Sequence, residues 1–432
     1  MLHRGTRWVM RVSRLDHCAD EAGAAQLVKS FASWGLTASP SRLSRWEYGH
    51  SRGTCRLLRA YESGCSLPPF LLFALNDRQR RAADDTFSDV ASIDATELLE
   101  ADDIYEILDR GLTEAHVTGS DWYQLASFAA SHKYFYLSRH NTRILARRLI
   151  EELGRSLGPA YILRFEALHL LASQSRMHEA LVEQLMELFD DTSTGVIGDA
   201  ASIIFRAAPP ARNTLVGRLR DADSPTMRQS RAWITDIVHD RKQTVERQVS
   251  GTGVDEVSDT LCRALPKWAM AHIEKDVTLP LVKEALGGRS RLKRHEASLI
   301  LMLAGLQGPL SVGLLDAFED ESDLLMRRRL ANLLEYQVGS SQPERLEALA
   351  LAESDPESRR ALWASRGHVL RPLRVSDEVA DALVDPSSQF GVSYALGISG
   401  SVDDALVDRT DLPDELRRVF GWWQDRGPAL LS

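Results

Sequence analysis

From about residue 160 onward, an alanine set in an apolar helical pattern returns at a steady interval. It falls at Ala167, Ala200, Ala232, Ala264, Ala297, Ala331, Ala361 and Ala395, at spacings of 33, 32, 32, 33, 34, 30 and 34 residues. Polar turns recur on the same beat: DDTST at 190–194, DADSP at 221–225, GGRS at 287–290, EDESD at 319–323, SDPES at 354–358 and DPSS at 385–388. A second amphipathic segment lies between most markers, as at Leu181/Leu185/Leu188, Leu279/Val282/Leu286 and Leu346/Leu349. A pair of helices ~32 residues long cannot bury its apolar face alone, so the pattern predicts stacked pairs, an α-solenoid over residues 161–432. The alanines would let the two helices of each pair approach closely.

The segment SDPESRRALWA, 354–364, resembles the short HEAT-type repeat, whose consensus carries Asp-Pro followed by Arg and Ala. The large-and-small pattern of TPR repeats is not evident, and 240–258 does not parse into the beat. Residues 96–160 read as a helical connecting region with aromatics at Trp122, Tyr123, Phe128, Tyr134, Phe135 and Tyr136. Core packing accounts for such a cluster, with a ligand pocket as the alternative. Trp422 and Trp423 near the end either cover the last apolar face or meet a partner chain.

Charge separates the front of the chain from this body. The formal charge is −9, but residues 1–82 carry +7 and the remainder −16. A basic head on an acidic body is expected if only the head meets a polyanion. The first 20 residues lack the apolar core of a signal peptide, and the most apolar run, 297–315, is interrupted at Gln307–Pro309, as in a buried helix pair. Cys18, Cys55, Cys65 and Cys262 form no CxxC pair, so reduced thiols and a cytoplasmic location are expected.

Within the head, AAQLVKSFASW (24–34) places Ala24, Leu27, Val28, Phe31 and Trp34 on one helical face and Lys29, Ser30 and Ser33 on the other, and Gly35 follows as a stop. The next helix is written in SPSRLSRWEYG. Ser39 can cap it, Pro40 suits its first position and Gly49 can end it. At ~100° per residue, Leu43, Trp46 and Glu47 gather on one side and Ser41, Ser44, Arg45 and Tyr48 on the other, with Arg42 on the flank. Two short helices joined by a turn, the second presenting arginine and small polar side chains, suggest a helix-turn-helix with a recognition helix over 40–48. Residues 57–75 read as two further helices broken near Gly64–Pro69, which makes five. The polar stretch over 76–95 marks a boundary. The expected organisation is a DNA-binding head over 1–82, a linker over 83–95, the connecting region and the solenoid.

The run LSRWExG resembles the recognition-helix signature of the Cro/C1-type (XRE) helix-turn-helix regulators, matched here by Leu43, Ser44, Arg45, Trp46, Glu47 and Gly49. The likeness covers about residues 18–75. It implies a homodimer on a pseudo-palindromic operator, with half-sites about one turn apart. It also implies an ion pair between Glu47 and an arginine of the first helix, Arg11 or Arg14. The turn glycine of that family stands about six residues before the Ile/Leu, whereas Gly35 stands eight before Leu43.

Chemistry assigns roles to the outer face. A guanidinium reads guanine O6 and N7 through two parallel hydrogen bonds, with Arg45 the first choice and Arg42 the second. Ser41 and Ser44 are short enough for close approach to bases or phosphates. Tyr48 belongs to the same DNA-facing side, and His50, Ser51, Arg52 and Arg56 follow the helix, placed for the phosphate backbone. No P-loop, HExxH, GxSxG or kinase signature occurs, GTG at 251–253 lacks the rest of a dinucleotide motif, and His132 and His140 sit apart among aromatics. Neither catalysis nor a cofactor or metal is expected. The reading is a DNA-binding transcriptional regulator, with a small-molecule or protein effector on the solenoid as an option. The rival is a protein-interaction scaffold that carries the head as an accessory.

Overall fold

A computed structural model describes residues 2–18, 21–84, 98–113, 115–132, 134–190, 198–207, 251–263, 275–289, 291–303, 307–337 and 342–432. Every regular element among the described residues is helical. The marker alanines Ala232 and Ala264, the DADSP turn and most of the expected 83–95 linker lie outside them. Contacts divide the chain into two compact units: Met1–Glu187 with Ile197–Asp221 and Leu431–Ser432, and Leu188–Val196 with Ala222–Leu430. The division does not fall at the expected boundaries, since the head and residues 96–160 share a unit.

The first unit begins with α1 (Arg4–His17), α2 (Glu21–Ser33), α3 (Pro40–Glu47), α4 (Cys55–Gly64) and α5 (Leu71–Asp84). It continues through α6 (Ala101–Leu112), α7 (Gly119–Ser131), α8 (Arg139–Arg155), α9 (Pro159–Ala172), α10 (His178–Asp190) and α11 (Gly198–Ala207). The five head helices form as expected, and α5 runs through the start of the polar stretch to Asp84. Its polar run Asn76, Asp77, Arg78 and Gln79 is buried, because α5 is packed on both α1 and α9. Buried polar groups require partners, and these residues have them. Asn76 accepts from the His3 amide at 2.8 Å, Gln79 from the Thr6 amide at 2.9 Å and Asp77 from the Tyr123 hydroxyl at 3.2 Å. Arg81 is ion-paired with buried Glu166. The head is thus built into its neighbours rather than hung from them.

The aromatic cluster splits. Trp122, Tyr123, Phe128 and Phe135 are buried, and the Trp122 indole donates to Glu152 at 2.7 Å. Tyr134 and Tyr136 are 92% and 78% exposed, so core packing explains only the first four. The last two lie in the loop that follows the end of α7.

In the second unit the described helices run Gly251–Arg263, Lys275–Gly287, Arg291–Leu303, Gln307–Asp320, Leu324–Glu335, Pro343–Ala352, Pro356–His368, Asp377–Val384, Gln389–Ile398, Asp404–Val407 and Asp414–Arg426. The marker residues Ala297, Ala331, Ala361 and Ala395 are buried. From residue 307 to 398, the first helix of each pair packs on the marker helix after it, and successive marker helices pack on one another. The close approach expected within a pair is found between pairs. A Cβ on Gly367 would come within 2.9 Å of Ala395 Cα, on the next marker helix.

Three arginines repeat the same staple. Arg294, Arg327 and Arg359 each donate to the carbonyl six residues earlier, on Gly288, Glu321 and Glu353, at 2.7, 3.0 and 2.6 Å. That carbonyl belongs to the end of the preceding helix, where acceptors lack partners. Rungs between pairs add to this: Arg328 to Asp355 at 2.6 Å and Arg359 to Asp385 at 3.1 Å. Asp355 also caps its own helix by accepting from the Ser358 amide at 2.9 Å. Trp422 and Trp423 are buried edge-to-face at 5.0 Å, with Trp423 seated against Gly397. They cover the Gln389–Ile398 helix.

Candidate nucleic-acid interface

Local chemistry fixes both ends of α3. Ser39 Oγ accepts from the Arg42 amide at 3.4 Å, and Pro40 occupies the first turn. At the other end Gly49 sits at φ 79°, a left-handed conformation that glycine adopts without strain. Its amide bonds to Trp46 O at 3.2 Å and that of His50 to Arg45 O at 2.8 Å, which closes the helix with a Schellman motif. The same device ends α2: Gly35 lies at φ 69°, its amide on Ala32 O at 3.0 Å and the Leu36 amide on Phe31 O at 2.8 Å. The connection from Trp34 to Ser39 accommodates the longer glycine-to-leucine spacing.

The inner side of α3 is held chiefly by one polar node. Glu47 is buried, with a side chain only 1% exposed. Arg14 of α1 donates to it twice, Nε to Oε1 at 2.6 Å and Nη2 to Oε2 at 2.9 Å, and the Tyr61 hydroxyl of α4 donates at 2.8 Å. Of the two arginines open from sequence, Arg14 takes the carboxylate. Arg11 lies one turn earlier, its guanidinium 4.9 Å from the centre of the Tyr48 ring. Burial, with the Glu47 carboxylate adding to it, pushes the Tyr61 phenol well above its ordinary range. Trp46 is half-buried rather than enclosed and stacks on Phe31 at 5.6 Å; Leu43 is half-buried as well. Such a short helix meets its neighbours along one narrow strip, so its apolar residues stay partly open.

The predicted faces of α2 hold in part. Leu27 and Phe31 are buried, but Val28 is 55% exposed, and Ser30 is buried with its hydroxyl donating to Ala60 O at 2.9 Å. The core-facing strip of α2 is therefore rotated toward α4, and a serine with a carbonyl acceptor fits it.

On the outer side, Ser41, Arg42, Ser44, Arg45 and Tyr48 are all exposed. His50 and Arg52 are exposed in the loop beyond, and Arg56 is exposed in the first turn of α4. Thr54 caps α4 by accepting from the Leu57 amide at 3.2 Å, which orients that turn. Two of the acids in the head are withdrawn from this surface: Glu47, and fully buried Glu62, which takes Arg59 at 2.7 Å and the Phe70 and Leu72 amides at 2.8 Å each. The face that remains is rich in guanidinium and hydroxyl donors.

Residues 2–7 are part of this corner, which sequence reasoning missed. A Cβ on Gly49 would come within 2.0 Å of Arg7 Nη1, and one on Gly53 within 2.5 Å of Leu2 Cγ. The start of α1 therefore lies along the loop 49–53. The arginine spacing 4, 7, 11, 14 was the available signal, since it puts all four on one helical face.

The chain matches no protein-family model, no curated protein and no solved structure. Among the described residues no group of three or more His, Cys, Asp or Glu side chains is placed to hold a metal, and no helix is long and apolar enough to cross a membrane.

Proposed function

We propose that the chain is a sequence-specific DNA-binding transcriptional regulator. In this reading α2 and α3 are a helix-turn-helix of the Cro/C1 type, α3 enters the major groove, and the helix pairs of the second unit form a HEAT-like α-solenoid for dimerisation or sensing. One observation carries the reading. A capped helix of eight residues is anchored from within by Glu47 and Trp46 while Ser41, Arg42, Ser44 and Arg45 face outward together. Arg45, in the last turn, reads guanine; Arg42 reads a neighbouring base; the two serines keep the helix surface low enough for a close approach. Tyr48, His50, Arg52 and Arg56 hold phosphates and set the register. The arginine staple and the Arg–Asp rungs support the solenoid, because the staple recurs in three of the described pairs and the rung at two junctions between pairs.

Selection of duplexes from a random pool by the full-length protein tests the proposal, followed by titration of the selected site. A homodimer would enrich a two-fold symmetric motif. Arg45→Ala is expected to lower affinity for that site by about 1–3 kcal/mol and to relax one base position in each half. A pool with no enriched motif would refute the function, and an unchanged motif in the variant would refute the role of Arg45.

A further inference from the structure

We propose that Arg7, with Arg4 beside it, is a backbone-phosphate anchor of the same DNA-binding surface, contributed by the first helix rather than by the helix-turn-helix. The inference rests on the DNA-binding reading and extends it to a part of the chain that the family likeness does not cover.

Three consecutive turns of α1 meet three consecutive residues at the end of α3. Arg14 takes Glu47, Arg11 covers Tyr48, and Arg7 lies against Gly49. The first two guanidiniums have an evident use within the head. Arg7 does not. Its Nε is buried with no hydrogen-bond partner among the described residues. Burial and then the neighbouring Arg4 cation hold its pKa below the usual guanidinium value, with no carboxylate acting in the other direction. A half-buried cation whose charged neighbour is another cation is a costly arrangement unless an anion completes it.

The position of Arg7 says which anion. Gly49 and Gly53 bracket the loop that leaves the recognition helix, and both lack the side chain that would keep residues 2–7 away. Arg4, His50 and Arg52 are exposed around the same loop. With α3 in a major groove, the segment just past its C-terminal end faces the adjoining sugar–phosphate strand. A planar guanidinium suits a phosphate there, through two parallel hydrogen bonds. Such a contact carries no sequence information, and it releases counterions.

The test is the salt dependence of binding. Full-length wild type, Arg4→Gln, Arg7→Gln and Arg7→Lys are titrated with one mixed-sequence duplex over a range of potassium chloride concentrations. Each glutamine variant is expected to flatten the slope of log K against log salt by about 0.9, the loss of one phosphate contact. Arg7→Lys should keep most of the slope, and the motif selected from a random pool should stay the same in all four proteins. Arg4 is exposed, so Arg4→Gln tests the patch even if Arg7→Gln fails to fold. Unchanged slopes in folded variants would overturn this inference alone and leave Arg7 as a cation that stabilises the C-terminal end of α3. A wild-type protein that binds no duplex would overturn the DNA-binding reading as well.

Discussion

Glu47→Ala should loosen α3 more than any other single change on its inner side. The carboxylate is 1% exposed and its partner Arg14 20% exposed. Removing one member of a fully buried pair costs about 3–5 kcal/mol. Water reaches Arg14 here, which lowers the figure, while the Tyr61 hydroxyl loses the acceptor it has at 2.8 Å and adds to it. The two corrections leave about 2–3 kcal/mol. Hydrogen–deuterium exchange of peptides that span residues 40–50 reads this locally, as a fall in protection of roughly 30- to 150-fold. The Tyr61→Phe change makes the argument sharper. In the wild type it removes a hydrogen bond and should destabilise by about 1 kcal/mol, but in the Glu47→Ala background it removes an orphaned hydroxyl and should restore protection. Tyr61→Phe with the same sign in both backgrounds would refute the node as described. So would simple addition of the Arg14→Ala and Glu47→Ala effects in the double variant.

Other consequences are as direct. Gly49→Ala meets a left-handed backbone, which costs ~1–2 kcal/mol, and it displaces the Arg7 guanidinium from beside the loop. The same exchange peptides measure that cost, and Arg7→Ala should leave it unchanged. Burial pushes Glu62 up to about 7, only partly offset by Arg59 and two backbone amides. The folded head then holds a proton more tightly than the unfolded chain, so its stability should fall as pH rises from 4.5 to 7. Glu62→Gln should flatten that dependence in exchange at residues 55–72. Buried His368 has the opposite sign. Its Nδ1 donates to Glu335 O at 2.6 Å and its Nε2 accepts from the Tyr394 hydroxyl at 2.9 Å, a neutral ring whose pKa burial holds below the usual 6.5. Protection at residues 389–398 should therefore fall as pH drops below 6.5, and His368→Gln should abolish the effect. Equal pH trends at the two places would contradict both assignments.

What the sequence settles by itself is whatever one helical turn can encode. Ser39, Pro40, Gly35 and Gly49 mark helix ends because capping, a fixed φ and a positive φ are properties of a few adjacent residues. The outward set Ser41, Arg42, Ser44 and Arg45 follows from the 3.6-residue period and needs no knowledge of neighbours. The alanine beat announced buried helices for the same reason, and Ala297, Ala331, Ala361 and Ala395 are buried. Tertiary structure decided everything that depends on which distant surface arrives. Arg11 and Arg14 are equally plausible partners for Glu47 along the chain, and the crossing of α1 over α3 selected Arg14. The run from Asn76 to Gln79 reads as a solvated boundary until α9, some 90 residues on, closes over that helix and Tyr123 reaches Asp77. Val28 and Ser30 exchange places because α4 meets α2 off the centre of its apolar stripe. Arg7 lies beside the end of α3 only because Gly49 has no side chain there. Periodicity and capping are local energies, whereas burial is a property of pairs of surfaces, and no single segment of the chain contains both members of the pair.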